Sequence, residues 1–240
     1  MSGMEFDEAW QHASRTQGWL SWEQSRVLFR AARTVQPGRW IVEIGSHCGR
    51  STVLLAAAKS AEVNLLAVDP FDDPRWGGGP EALVVFERSL RSAGLLDCVQ
   101  VFRGLSSEAA SAGVAGCVGM LFVDGAHDRS SVLADIDGWS PHLAEDAPLF
   151  FHDAYSSPGV TVSLFERFFA SNWTRYIGSS ASLARFDHQP MGFMARLASA
   201  TRMVARLPWF VRNVIIKVAL RRQWAGVHRT LGHPGTEHPY

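Results

Sequence analysis

The chain has 240 residues, enough for one α/β domain with appendages and a sizeable core. Apolar residues make up 47% and charged residues 19%, and the formal net charge is zero. That balance excludes a disordered chain and gives the whole molecule no general pull on nucleic acid.

Charge is unevenly spread. From Met191 onward there are eight basic residues and one acidic one, Glu237, leaving fifteen basic and twenty-two acidic residues before it, a net of −7. Cys48, Cys98 and Cys117 are odd in number and widely spaced. This argues against a disulfide framework or a zinc site and fits a reducing cytoplasm. The first ten residues are acidic and lack an apolar core, so no secretion signal is expected. No run is apolar enough to span a bilayer.

Residues 20–35 read as a helix, with Leu20, Val27, Leu28 and Ala31 on one stripe and Pro37-Gly38 as its stop. Strands are then expected at 40–44, 64–69, 98–103, 120–124 and 148–153. They alternate with helices at 51–59, 80–93, 130–143 and 160–170, and 174–177 with 182–186 form a closing hairpin. Such alternation predicts a mostly parallel sheet with helices on both faces. Ligands then bind beyond the carboxyl ends of the strands, so the residues after each strand carry the function.

Glu43-x-Gly45-x-x-x-Gly49 follows the first strand and opens a helix. Gly45 allows a tight turn, Gly49 allows close approach of a ligand, and the helix start offers free N–H groups beside Ser51 and Thr52. The spacing is not G-x-G-x-x-G, which weakens a dehydrogenase reading. Cys48, inside this loop near a helix start, reads as a small filler. Asp69 ends the second strand, twenty-six residues after Glu43. A carboxylate there can accept both ribose hydroxyls of a nucleoside. Phe71 is either an adenine contact or a core residue.

Ile41-Val42-Glu43-Ile44-Gly45-Ser46-His47-Cys48-Gly49-Arg50-Ser51-Thr52 resembles motif I of bacterial class I S-adenosylmethionine (SAM) dependent methyltransferases. Within them it is most similar to the "methyltransferase 24" type, which includes sugar O-methyltransferases. The resemblance runs from about Gly18 to Phe186 and takes in Gly18-Trp19-Leu20-Ser21, a segment that helps close the cofactor site. It implies a Rossmann-like fold with a seven-stranded, mostly parallel sheet. Residues 1–38 would form a helical segment and cofactor lid, 39–190 the SAM-binding catalytic domain, and 191–240 a basic, helical extension. It also implies that Glu43, Gly45, Ser46, Gly49 and Ser51 lie near SAM, with Asp69 on the ribose. Ser106, in Gly104-Leu105-Ser106, would lie near the adenine, although the usual acidic residue there is missing.

Strand 4 ends Asp124-Gly125-Ala126-His127-Asp128, and strand 5 ends His152-Asp153. Both tips belong at the edge where the methyl donor would sit, with Asp124 beside the cofactor. Asp124 and Asp153 could give oxygen ligands to Mg²⁺; His152, a third candidate, suits Mn²⁺ better. His127 is placed to act as general base, because an imidazole titrates near neutrality. A metal would lower the hydroxyl's pKa and His127 would take its proton. In metal-dependent O-methyltransferases a strand 4 aspartate binds metal and a residue three positions on acts as base. Here His152-Asp153 stands where those enzymes carry Asp-Asp or Asp-Asn. Asp128 or Ser130 caps the following helix, and Asp135 reads as a surface residue. No G-x-S-x-G elbow is present, so Ser-His-Asp hydrolysis does not fit.

The loop 72–79, with Trp76, is either a lid and acceptor-binding edge or a plain surface loop. The basic tail reads as two amphipathic helices broken at Pro208, with 233–240 disordered. A docking or homodimer surface is the favoured reading for it; peripheral membrane contact is the alternative. The function expected is O-methylation of a sugar or glycan hydroxyl, as in polysaccharide biosynthesis, assisted by Mg²⁺ or Mn²⁺. The alternatives are a small phenolic or other secondary-metabolite acceptor, a non-catalytic SAM-binding protein, or a membrane-associated adaptor.

Overall fold

The computed structural model describes residues 4–72, 78–113, 115–224 and 226–233. Seven strands form one sheet: β1 (Trp40–Ile44), β2 (Asn64–Val68), β3 (Gln100–Phe102), β4 (Val118–Val123), β5 (Ala147–Phe151), β6 (Thr174–Ser180) and β7 (Leu183–His188), in the order β3-β2-β1-β4-β5-β7-β6. Strands β1 to β5 pair in parallel, and β7 runs antiparallel between β5 and β6. The strand order reverses at the β1–β4 pair, which is where an open sheet of this kind leaves a crevice.

Alternation along the strands splits the core in two. Ile41, Leu65, Met120, Phe122 and Phe150 face one side, covered by α1 (Phe6–Ser14), α2 (Trp22–Ala32), α3 (Arg50–Ala58) and α4 (Pro80–Ser92). Val42, Leu66, Leu121, Val123 and Phe151 face the other, covered by α5 (Ser106–Ser111), α6 (Arg129–Trp139) and α7 (Pro158–Phe168). Parallel strands buried on both faces read as continuous apolar runs, which is why 41–44 and 120–123 stand out in the sequence. Ser21 and Gln24 close a capping box at the start of α2.

Two helices, α1 within the expected N-terminal helical segment and α5, had no periodic signal of their own in the sequence. Helix α1 buries only Ala9 and Ala13, too thin a stripe to declare itself, and α5 has six residues. The tail forms α8 (Phe193–Val204), α9 (Leu207–Arg221) and the short α10 (Val227–Thr230). Pro208 lies in the first turn of α9, where its missing N–H costs nothing, so the break falls between two helices. His233 is buried, against the expectation of disorder from that residue on. The rest of that segment, 234–240, and most of the 72–79 loop with Trp76 fall outside the described residues. Among the described residues no helix is long and apolar enough to cross a membrane.

Candidate active site

The site begins where β1 ends. Gly45 has φ +85, and a Cβ there would collide with the carbonyl of Asp124. The Asp124 N–H in turn donates to Ile44 O at 2.8 Å. Glycine is therefore required because the tips of β1 and β4 touch backbone to backbone. Gly49, at φ +90, caps α3, and its missing side chain faces Phe86 at 3.1 Å. Its positive φ shapes the turn into α3.

Glu43 is fully buried beneath this loop. Its Oε2 accepts from Ser46 Oγ at 2.9 Å and Thr52 Oγ1 at 2.5 Å. Burial raises its pKa to about 7, against the opposing pull of the Ser51, Thr52 and Ser46 hydroxyls. Glu43, Ser46 and Ser51 were all expected at the cofactor. Here they form one buried brace that holds the loop from within, and Thr52 joins it. The Cys48 thiol is pushed up by burial and by the Asp69 charge, the opposite of a helix-start activation.

Asp69 sits at the tip of β2 and accepts the His47 N–H at 2.8 Å and the Phe71 N–H at 2.6 Å. These bonds tie the first and second loops together and leave the carboxylate partly exposed. Trp19 lies over the same corner, its ring 5.2 Å from that of His47. Arg50 anchors the stretch leading to it by donating to Thr16 O and Leu20 O. Phe71 turns inward at φ 58 and packs edge-on against Phe86, so it belongs to the core. Ser106 accepts from Trp139 Nε1 at 2.9 Å. Beside it Asp135, read from sequence as a surface residue, is buried, and burial lifts its pKa to about 7 despite a Ser106 hydrogen bond. The helix period of α6 turns it inward with Val132 and Trp139.

The predicted acid and histidine pairs do converge. Asp124 Oδ1 lies 3.0 Å from His152 Nδ1 and 3.9 Å from His127 Nε2, and His127 Nδ1 lies 3.2 Å from Asp153 Oδ2. Burial disfavours the His152 imidazolium, but the charge and hydrogen bond of Asp124 outweigh it and raise its pKa. Burial likewise opposes ionisation of Asp124, and the two imidazoles overcome it and hold the carboxylate well below its usual range. His127 is about a quarter exposed, so an acceptor can reach it. Asp128 caps α6 by accepting the Ser131 N–H, as expected from the sequence.

The loop after β5 is strained and clamped. Asp153 and Tyr155 have φ 56 and 57, positions that only a tight surround maintains. Helix α9 supplies part of that surround, since Asn213 Nδ2 donates to Tyr155 O at 3.0 Å. Lys217, one turn on, acts electrostatically on both Asp153 and His152. Neither tail residue was singled out from sequence; their spacing from the buried Ile216 was the only signal. A cavity of about 330 Å³ opens at the opposite ends of the strands by Arg39, Gly119 and Glu145. It holds none of these residues.

As arranged, the donors do not fit a divalent cation. Both carboxylates face imidazole nitrogens, and among the described residues no group of three or more His, Cys, Asp or Glu is placed to hold a metal.

Residues 42–154 match a protein family described as a methyltransferase domain. Solved structures share the fold. An O-methyltransferase of tomaymycin synthesis from Streptomyces achromogenes, in complex with SAM, is 18% identical over 79% of this chain and 92% of its own, with a TM-score of 0.57. An O-methyltransferase from Bacillus cereus, in complex with S-adenosylhomocysteine, is 16% identical over 76% and 88%, also at 0.57. A TDP-rhamnose 3'-O-methyltransferase of calicheamicin biosynthesis is 17% identical over 69% and 77%, at 0.51. The fold is thus the Rossmann-like methyltransferase fold, with residues 42–154 matching a methyltransferase domain.

Proposed function

We propose that this chain transfers the methyl group of SAM to a hydroxyl of a sugar or glycan acceptor, with His127 as general base. The observation that carries the reading is the placement of a partly exposed His127 between Asp153 and Asp124, at the strand edge beside the Gly45 turn. When bound, SAM supplies an electrophilic methyl on a sulfonium.

Asp69, partly exposed at the tip of β2, is the ribose acceptor in this reading. Gly45 and the His47 backbone form the floor, Trp19 the rim, and the Glu43 brace with Ser46 and Ser51 keeps the floor in shape. The Nδ1–H of His127 donates to Asp153, which leaves Nε2 to accept the proton of the acceptor hydroxyl. The oxygen forms its bond to the methyl carbon as the carbon–sulfur bond breaks. The Asp153 carboxylate then stabilises the imidazolium. Asp124, held ionised, fixes His152 and closes the wall between the β4 and β5 tips. Positioning of the two reactants supplies much of the rest.

A sugar acceptor is favoured by the motif I resemblance and by the structural likeness to an enzyme named for TDP-rhamnose. A phenolic or other secondary-metabolite acceptor is the second reading, favoured by the likeness to the tomaymycin enzyme. The test is formation of S-adenosylhomocysteine on a panel of glycans, nucleotide sugars and phenols, with EDTA or with Mg²⁺. Turnover of a sugar hydroxyl that persists in EDTA is expected; turnover of phenols alone would move the assignment to the second reading. Loss of activity in EDTA that Mg²⁺ restores would return a metal to the site. His127→Ala is expected to lower kcat by about 100-fold or more with SAM affinity retained, and a normal kcat would remove His127 as base.

A further inference from the structure

We propose that the outward faces of α8 and α9 form a docking surface for an anionic lipid membrane. Each helix has an inner stripe that is spoken for. In α8, Ser199 and Met203 are buried, and Ser199 Oγ accepts the Tyr176 N–H at 2.9 Å. In α9, Asn213, Ile216 and Ala219 are buried. The opposite stripes are apolar yet open to solvent. Phe193, Leu197 and Val204 in α8 are 74%, 52% and 45% exposed. Val211, Ile215 and Val218 in α9, spaced i, i+4, i+7, are 54%, 40% and 40% exposed, and Trp224 follows at 51%. A helix that is apolar on both faces lacks a partner on one of them.

Charge identifies the partner. Residues 191–233 contain eight lysines and arginines and no aspartate or glutamate. On α8, Arg196 precedes Leu197 of the open stripe and is itself exposed, and on α9, Arg221 and Arg222 stand at the end of its stripe. Apolar side chains between arginines, with a tryptophan at the margin, fit the boundary of an anionic bilayer, where the chains enter the acyl edge and the guanidinium groups meet lipid phosphates. A second copy fits less well. A two-fold interface through this face would set one arginine-rich surface against another with no acid to pair. Neither helix is long and apolar enough to cross the bilayer, so the contact lies in the interfacial plane.

The test is co-sedimentation of the full chain with vesicles of phosphatidylglycerol and phosphatidylcholine, or of phosphatidylcholine alone, beside sedimentation velocity without lipid. Binding only to the anionic vesicles is expected, falling as salt rises. Ile215→Asp with Val218→Asp should abolish it while the melting temperature is kept, because both side chains point outward. Should that variant not fold, Arg221→Gln with Arg222→Gln must weaken partitioning by about fivefold per arginine. No binding to anionic vesicles at low salt, equal binding to both vesicle types, or binding that ignores these substitutions overturns the proposal. So does a dimer that Ile215→Asp dissociates in the absence of vesicle binding.

Discussion

The tips of β1 and β4 are neighbours in the sheet, and each ends in a buried or nearly buried carboxylate, yet the two acids sit at opposite ends of their titration range. Glu43 is surrounded by neutral hydroxyls, and burial lifts its pKa to about 7. Asp124, its side chain about a fifth exposed, faces two imidazoles, and their charge and hydrogen bonds hold it low. Desolvation is the largest single influence on both, so the sign of the outcome is decided by the charge of the partners. The first tip is a brace, able to stay neutral beneath a loop. The second is a fixed anion that holds its histidines in place.

Three substitutions at these tips can break or sharpen this contrast, with Gly38→Ala and Asp135→Asn beside them for comparison. The largest effect is expected from Asp124→Asn, which removes the anion and leaves His152 buried without its counter-charge. Methyl transfer should fall by about 10²–10⁴-fold, while calorimetric SAM binding stays within an order of magnitude. A kcat within threefold of the parent would show that the β4 tip does not depend on that charge.

Next is Gly45→Ala, at the contact between the tips. Left-handed backbone costs about 1–2 kcal/mol and the overlap with the Asp124 carbonyl about 1–3 more. Gly38→Ala is the control: Gly38 also has positive φ, +77, but open space around its Cβ position. Denaturant unfolding should show a clearly larger loss at Gly45. Equal losses would mean that the tips do not press on each other.

The smallest effect is expected from Glu43→Gln. Burial raises Glu43 above its ordinary value of 4.5, so the folded chain holds a proton that the unfolded chain releases. Its stabilising contribution is complete below about pH 4.5 and is lost as pH rises through about 7. Glutamine cannot ionise and keeps an oxygen for Ser46 and Thr52. The melting temperature of the variant should therefore fall less between pH 5 and 8, by a difference worth about 1–3 kcal/mol. Asp135→Asn should act in the same direction, since Asp135 is also raised to about 7 by burial. Parallel pH profiles for variant and parent would exclude a proton on Glu43.

Much of the site was legible in the chain because function gathers at strand ends. Asp69, Asp124, His127, His152 and Asp153 each follow an apolar run, and alternation of strands and helices puts all such ends on one edge. The residues left open or missed were those whose orientation depends on contacts distant in sequence. Phe71 turns into the core against Phe86, Asp135 lies under Ser106, and the lone glycines of the first loop answer to Asp124 and Phe86. Sequence spacing says that a loop is tight; it does not say which neighbour makes it so.

By itself, then, the sequence determined the mixed seven-stranded sheet, the glycine turn after β1 and the gathering of acids and histidines at one edge, because these follow from periodicity and chain order. Only the tertiary structure decided what each charge does there. The Glu43 brace, the Asp124–His152 and His127–Asp153 pairs, the strained Asp153–Tyr155 loop and its support by Asn213 of α9 all join residues from separate elements. Burial and partner charge set their states, and both are properties of the packed chain alone.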